Sequence, residues 1–329
     1  MLPIAFQTLG CKLNQCETGS IAAAFANAGF PVVADAVKAG LLVVNTCAVT
    51  SKAEQKGRRM IRAALNRNPL CSVIVTGCGA GADMAGIEVS ASGSSERRVF
   101  LIPGTQKSRV MDIPLILARE GAFDQASLRA ALERFCGAAD GGTDASSAFR
   151  FEAAPAGFRS RYFLKIQDGC DNSCAYCLVR VARGPAKSLS AEEALRRLRA
   201  AEADGAAEAV LTGVNIGQWN KACGGLPVLL KSLLAGTNRI GLRLSSLEPD
   251  IFTEDFFAAL ENPRVRPHFH LSIQSGSLNI LKRMGRHYGP EAALGAIGRL
   301  RSVKKDPFIA CDIITGFPGE TERDFRETL

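Results

Sequence analysis

Three cysteines stand close together in the middle of the chain, at Cys170, Cys174 and Cys177, in the spacing C-x3-C-x2-C. Soft thiolates select iron–sulfur clusters or zinc. A cubane [4Fe–4S] cluster usually takes four cysteines, so three would leave one iron open to a substrate or cofactor. A structural zinc site would need a fourth ligand nearby, but the next cysteine is Cys223 and the next histidine is His268. The spacing therefore favours a catalytic iron–sulfur cluster, with zinc as the alternative.

A second set of cysteines lies near the N-terminus, where Cys11, Cys47 and Cys78 each follow a short apolar segment. These segments have the pattern of buried parallel strands, and they span residues 4–8, 41–45 and 72–76. In open α/β sheets, ligand sites form outside the carboxyl ends of the strands. The three cysteines could therefore converge, although they are far apart along the chain. The residues alone leave convergence and separate burial both open.

The other cysteines do not follow this pattern. Free cysteine is often a small buried hydrophobic residue, and we interpret Cys16, Cys71 and Cys136 in this way. We interpret Cys223 and Cys311 as ordinary core or surface thiols.

The composition and the cysteine content exclude two classes of protein: membrane-spanning proteins and secreted scaffolds held together by disulfides. Hydrophobic residues make up 47% of the 329 residues and charged residues 22%, which is typical of globular chains with room for two domains. No apolar run approaches about 18 residues and no export signal opens the chain, so we expect a cytoplasmic protein with no membrane segment. Eleven cysteines in such a chain indicate metal or redox chemistry rather than disulfides. The net charge of +8 suits a polyanionic partner.

The elements that would position the two cysteine sets fall into two α/β domains. We predict an open parallel-sheet domain at 1–138, a linker of small and polar residues at 139–155, and a second domain at 156–329. In the second domain, strands alternate with helical patterns, and the strands span residues 162–167, 209–212, 241–245, 268–274 and 308–314. Such a βα series predicts a partial TIM-like barrel with the loop 170–177 at its C-terminal face, where these barrels hold active sites. One helix is predicted at Ala191–Ala203, with Ser190 as its N-cap.

Polar residues on successive strands of this barrel favour a ligand cavity. Between residues 268 and 274, polar and apolar residues alternate, so that each kind occupies one face of the strand. Other strands repeat the pattern or carry a single polar residue, at Lys165, Gln167, Arg243, Ser245 and Asp312. Pairs of arginines, such as Arg58 and Arg59, are typical of solvated faces, with RNA contact as the alternative.

The cysteine loop at the end of the first barrel strand resembles the radical S-adenosylmethionine (SAM) superfamily, and further motifs narrow the resemblance to the methylthiotransferases. These motifs extend over nearly the whole chain, at residues 9–14, 44–50, 75–78, 166–177, 211–217, 243–249, 271–276, 281–286 and 312–320. Gly-Cys-Lys-x-Asn and Ile-Gln-Asp-Gly-Cys are most similar to the MtaB-type tRNA enzymes. Those enzymes convert N6-threonylcarbamoyladenosine at position 37 of tRNA to its 2-methylthio derivative.

The resemblance implies roles for both cysteine sets. Cys11, Cys47 and Cys78 match the ligands of an auxiliary [4Fe–4S] cluster. The cysteines of the loop match the ligands of the SAM cluster, with Tyr176 as the aromatic residue often found there. Candidates for holding SAM or the adenine base are Gly213, Asn215, Ser245, Glu248, Gln274 and Asp312. No catalytic side chain is assigned.

The resemblance also implies the reaction and its partners. SAM at the open iron is cleaved by an electron from the reduced cluster, and the resulting radical removes hydrogen from adenine C2. Sulfur held at the auxiliary cluster, methylated by a second SAM, is delivered to that carbon. The expected partners are the anticodon loop of tRNA, where a base can be unstacked, and a reductant such as flavodoxin or ferredoxin. The sulfur donor is not assigned.

The chain also departs from the family pattern. Gly-Ala-Gly follows Cys78 where an aromatic residue and Ala-Gln are usual, and Arg180-Val181 replaces a pair that commonly contains proline. Family members continue through a sixth strand and a TRAM domain, so we expect a C-terminally truncated barrel without that domain. The alternative functions are methylthiolation of isopentenyladenosine-37 of tRNA or of ribosomal protein S12, and a non-catalytic cluster-binding remnant.

Overall fold

The computed structural model describes residues 1–47, 51–80, 98–138, 148–152 and 161–329. The chain divides into two compact units. The first unit comprises Met1–Pro155 and Val181–Gly184, and the second comprises Ala156–Arg180 and Pro185–Leu329. Of the predicted linker at 139–155, only 148–152 lie within the described residues.

A parallel sheet of five strands forms the centre of the first unit, in the order β2-β1-β3-β4-β5. Its strands are β1 (Ile4–Thr8), β2 (Val32–Val33), β3 (Leu41–Thr46), β4 (Ser72–Gly77) and β5 (Val99–Leu101). Every residue of β3 and β4 is buried, because parallel sheets are covered on both faces. The three strands predicted before the cysteines are thus confirmed, and β3 and β4 each extend one residue further.

Helices cover the two faces of this sheet, and they are α1 (Lys12–Asn27), α2 (Ser51–Arg67), α3 (Ile113–Arg119) and α4 (Gln125–Gly137). Successive strand residues point to opposite faces. Leu41 and Val43 accordingly join the core that contains Phe25 of α1, whereas Leu42 joins the core that contains Ile61 of α2.

The second unit contains five parallel strands, as a partial barrel requires. They are β6 (Tyr162–Lys165), β9 (Glu208–Thr212), β10 (Gly241–Leu244), β11 (His268–Gln274) and β12 (Phe308–Ile313). The first three pair in the order β10-β9-β6, and β11 pairs with β12. An isolated parallel bridge between Leu247 and Leu271 joins the two groups. Along β11 the apolar residues are buried and the polar ones half-buried, as their alternation predicts.

The remaining helices lie between and after these strands. They are α5 (Val179–Arg183), α6 (Ala191–Ala203), α7 (Gly225–Ala235), α8 (Glu254–Leu260), α9 (Leu278–Arg283), α10 (Pro290–Val303) and α11 (Glu322–Thr328). The α6 helix has the predicted bounds, and the Ser190 hydroxyl accepts a hydrogen bond from Glu193 N. Within the described ranges, none of the helices combines the length and apolar character that a membrane span requires.

The β6 strand is two residues shorter than the sequence pattern predicts, whereas β10 and β12 each end one residue early. The pattern indicates a single strand over 162–167, but β6 ends at Lys165. The chain then leaves the parallel sheet, because β7 (Gln167–Asp168) pairs antiparallel with β8 (Lys187–Ser188).

Candidate functional site

In the first unit, the structure brings the turns that carry Cys11, Cys47 and Cys78 together at the carboxyl ends of β1, β3 and β4. A Cβ atom added to Gly10, where φ is +95°, would lie 2.8 Å from both Cβ and Sγ of Cys47. One added to Gly79 would lie 3.1 Å from the carbonyl oxygen of Cys47. The residues flanking Cys11 and Cys78 therefore both pack against Cys47.

The Asn14 side chain holds these turns in place from the first helical turns of α1. Its Nδ2 donates hydrogen bonds to the carbonyl oxygens of Leu9 and Thr46, both at 2.9 Å. Asn45 Nδ2 in turn donates to the main-chain oxygen of Asn14 at 3.0 Å. Cys11 is the N-cap residue of α1, but its side chain makes no capping hydrogen bond. The exposed thiol of Cys11 therefore does not take part in capping α1.

A buried group of charged side chains lies beside Cys78. Arg183 Nε donates to Cys78 Sγ at 3.1 Å, and its Nη1 is 2.9 Å from Glu17 Oε1. Lys107 Nζ lies 2.6 Å from Glu17 Oε2. Burial lowers the pKa of Lys107, and the Glu17 carboxylate partly opposes that shift. Two cations thus share one carboxylate next to a cysteine sulfur.

In the second unit, the loop with Cys170, Cys174 and Cys177 is fixed by its own backbone and by the segment after α9. Cys177 N donates to the Cys174 oxygen at 3.1 Å, and Ala175 N donates to the Met284 oxygen at 3.0 Å. Gly285, with φ +72°, packs so closely that an added Cβ would lie 3.1 Å from the Ser173 oxygen.

The Glu248 carboxylate connects this loop to two strand ends. It accepts hydrogen bonds from Asn172 Nδ2 at 2.9 Å and from Asn215 Nδ2 at 2.8 Å. Arg286 Nη1 lies 2.7 Å from the carboxylate and 3.3 Å from Cys174 Sγ. Burial, the largest single effect, would lower the pKa of Arg286, but the charge of Glu248 and the smaller contributions of neighbouring groups together outweigh burial and raise that pKa. Arg286 therefore places a permanent positive charge beside the cysteine sulfur.

The turn after β9 is built around the buried Gln167 side chain. Gln167 Oε1 accepts hydrogen bonds from the backbone N–H groups of Val214 and Asn215, both at 2.9 Å. A Cβ atom added to Gly213 would lie 2.8 Å from the same oxygen. Only glycine fits here without displacing Gln167.

Three buried polar atoms near the ends of β9 and β10 have no hydrogen-bond partner among the described residues: Thr212 Oγ1, Asn215 Oδ1 and Ser245 Oγ. Such atoms are costly in a folded protein unless a ligand or water satisfies them. Because Asn215 Nδ2 faces a carboxylate, its Oδ1 is free to accept from a ligand donor. The residues present therefore fit a polar ligand at this end of the barrel.

The remaining polar residues that the sequence predicted for the cavity differ from one another in their surroundings. Asp312 is 70% exposed and its Oδ2 is 3.3 Å from His270 Nε2. Gln274 ends β11 with a positive φ of 71°. Lys165 and Arg243, which the sequence pattern predicts to line a cavity, form ion pairs of 2.6 Å each, with Asp168 and Glu208 respectively.

Sequence reasoning missed Asn172, Arg183 and Arg286. Asn172 and Arg286 lie inside the family motifs, which indicate their positions but not their contacts. Among the described residues, no group of three His, Cys, Asp or Glu side chains is drawn together in the way that holds a metal ion. The assignment of either cysteine set to a cluster rests on its place in the fold and on its donor chemistry.

Comparison with known proteins identifies two family models along the chain. Residues 164–329 match the Radical SAM superfamily, and residues 3–94 match Uncharacterized protein family UPF0004. The chain is 38% identical to the threonylcarbamoyladenosine tRNA methylthiotransferase MtaB of Treponema pallidum, over the whole chain and 77% of that relative. It is 33% identical to the tRNA-2-methylthio-N(6)-dimethylallyladenosine synthase of Acidothermus cellulolyticus, over 98% of the chain and 63% of that relative.

Solved structures share the fold at low sequence identity. The radical SAM methyltransferase TsrM from Kitasatospora setae matches with a TM-score of 0.62 and 13% identity, over 99% of this chain and 72% of that one. The cobalamin-dependent radical enzyme OxsB matches with a TM-score of 0.61 and 12% identity, over 100% of this chain and 51% of that one. These matches support the α/β fold.

Proposed function

The chain belongs to the radical SAM tRNA methylthiotransferase family, and from that premise we propose that it inserts a methylthio group at C2 of N6-threonylcarbamoyladenosine-37 in tRNA. The choice of substrate is supported by the relatives named MtaB, which reach 38% identity. The second candidate is N6-dimethylallyladenosine-37, because a relative named for that nucleoside reaches 33% identity.

The observation that carries the proposal is the set of hydrogen bonds and the ion pair by which Glu248 and Arg286 connect the cysteine loop to the strand ends. Cys170, Cys174 and Cys177 would hold the [4Fe–4S] cluster that the family uses with SAM. When bound, this pair supplies the one-electron chemistry that activates a carbon–hydrogen bond. The side chains of this protein would orient the cluster ligands. Arg286 donates to the Cys174 sulfur, and Glu248 keeps that guanidinium in place.

The unpartnered atoms of Thr212, Asn215 and Ser245 would receive the polar groups of SAM or of the base. Asn215 Oδ1 accepts only, so it suits an amino donor, whereas the two hydroxyls can donate or accept. These contacts would position the ligand.

We further propose that Cys11, Cys47 and Cys78 hold a second [4Fe–4S] cluster that carries the sulfur. Three cysteine thiols that form no disulfide, at adjacent strand ends and with a guanidinium donating to one of them, are a suitable donor set. A one-electron reductant such as flavodoxin or ferredoxin would supply the electron, and the anticodon loop of tRNA would present the base.

Nucleoside mass spectrometry tests the proposed function. Cells that lack their own MtaB-type enzyme would express this chain, its Cys174→Ala variant, or a Cys223→Ala control at an exposed cysteine outside both sets. We expect 2-methylthio-N6-threonylcarbamoyladenosine with the parent chain and the control, and none with Cys174→Ala. Appearance of the 2-methylthio-dimethylallyl nucleoside instead would establish the second candidate, and no product from iron-loaded protein would overturn both.

A further inference from the structure

We propose that Arg183 is a positioning residue that tunes the cluster at Cys11, Cys47 and Cys78 by donating a charged hydrogen bond to the Cys78 sulfur and so favouring the reduced cluster. This inference rests on the proposed second cluster. It assigns to Arg183 a task in the first unit, although only five residues separate it from Cys177 in the sequence.

The guanidinium of Arg183 is locked in one orientation. Its Nε is 3.1 Å from Cys78 Sγ, its Nη1 is 2.9 Å from Glu17 Oε1, and its Nη2 is 2.7 Å from Asn14 Oδ1. The side chain is only 6% exposed. The planar fork of arginine is suited to such a multiple contact, and Nε is thereby fixed toward the sulfur.

The partners of Arg183 are themselves part of the cysteine-bearing framework. Glu17 and Asn14 lie on α1, whose N-cap residue is Cys11. Asn14 also ties the ends of β1 and β3 together through Leu9 and Thr46. The position of the guanidinium is therefore coupled to the same turns that carry the cysteines.

Charge and hydrogen bonding at a cluster sulfur set the reduction potential. Reduction adds one negative charge, and a buried cation stabilises that charge more strongly than an exposed one, because water screens it less. Removing the guanidinium should therefore make reduction harder. Removing the opposing charge of Glu17 should make reduction easier.

The test uses the full chain with Cys170, Cys174 and Cys177 changed to alanine, so that only the proposed second cluster can form. An anaerobic redox titration followed by electron paramagnetic resonance gives its midpoint potential. For Arg183→Gln we expect at least a tenfold drop in the ratio of reduced to oxidised cluster at fixed potential, a negative shift of about 59 mV for one electron. Glu17→Gln should shift the midpoint in the positive direction. Arg180→Gln, at an exposed arginine of the same helix, should leave it unchanged.

The outcomes distinguish a failure of the role given to Arg183 from a failure of the proposed second cluster. If the parent with the three alanines binds no iron, the proposed second cluster fails. If it binds a cluster and Arg183→Gln does not move the midpoint, the role of Arg183 is overturned, whatever the result for Glu17→Gln. If Arg183→Gln does not load iron, Arg183→Lys takes its place, because lysine keeps the positive charge but lacks the planar fork that fixes Nε toward the Cys78 sulfur. An unchanged midpoint in Arg183→Lys then overturns the role.

Discussion

Single side chains in this protein join segments that are far apart in sequence. Glu248 accepts hydrogen bonds from Asn172, which is 76 residues away, and from Asn215, which is 33 residues away. Sequence motifs indicated Glu248 and Asn215 as ligand candidates, but could not show that they bond to each other. Such partnerships arise only when the barrel brings the strand ends together, so local patterns do not predict them.

Glu248→Gln should destabilise the second unit and weaken SAM binding. The substitution keeps the shape but leaves the buried Arg286 without its carboxylate, and breaking a buried ion pair costs about 3 kcal/mol or more. Urea unfolding and calorimetric titration with SAM would measure both effects. The matched control is Glu254→Gln, whose carboxylate is 84% exposed beside Arg299, and which should change stability by less than about 1 kcal/mol. Equal effects of the two substitutions would contradict the role given to Glu248.

At the scale of elements, buried apolar runs predicted the central strands of the first sheet to within one residue. The β6 strand was predicted too long, because Gln167 and Asp168 fit the strand pattern while pairing with a different segment. The bounds of α6 were predicted correctly, since Ser190 is a strong N-cap and acidic residues occupy the first turn.

The α2 helix presents a basic face that we expect to bind the phosphates of tRNA. Lys52, Lys56, Arg59 and Arg62 are exposed, whereas Ile61 is buried against the sheet. Changing Lys56, Arg59 and Arg62 to glutamine should lower the slope of log Kd against log salt, by about 0.7 to 0.9 for each phosphate that is no longer neutralised. A control with glutamine at the exposed Lys231, Arg323 and Arg326 should keep the parent slope. If the basic face contacts only solvent, both variants should show the same slope of log Kd against log salt.

The α6 helix should contribute a pH-dependent part of the stability. Hydrogen bonds from Arg196 and Arg197 lower the pKa of Glu193 from 4.5 to about 2, against the opposing effect of burial. A lowered folded-state pKa stabilises the protein above the unfolded value of 4.5, and this contribution disappears as the pH falls toward 2. The gain is about 1 kcal/mol or less because the pair is partly exposed. Glu193→Gln should therefore be less stable than the parent at pH 7, with the difference shrinking near about pH 3 in urea unfolding. A difference in unfolding free energy between the two proteins that does not change with pH would exclude the Glu193 carboxylate as the source of the pH dependence.

At the scale of the whole molecule, the two cysteine sets follow one structural rule. Cys11, Cys47 and Cys78 follow the ends of parallel strands in the first unit, and the loop of Cys170 follows the first strand of the second unit after its short exit through β7. The strand patterns predicted both placements. They left open whether the first set converges, because that depends on the register of β1, β3 and β4 and on the contacts of Gly10 and Gly79.

The iron content of the anaerobically prepared protein tests most directly whether each set holds a cluster. We expect about eight irons per chain in the parent, by the stoichiometry of two cubanes. Alanine at Cys11, Cys47 and Cys78 should leave about four, and alanine at Cys170, Cys174 and Cys177 should also leave about four. A parent with about four irons that the first substitution does not reduce would contradict the account, because the first set would then hold no cluster.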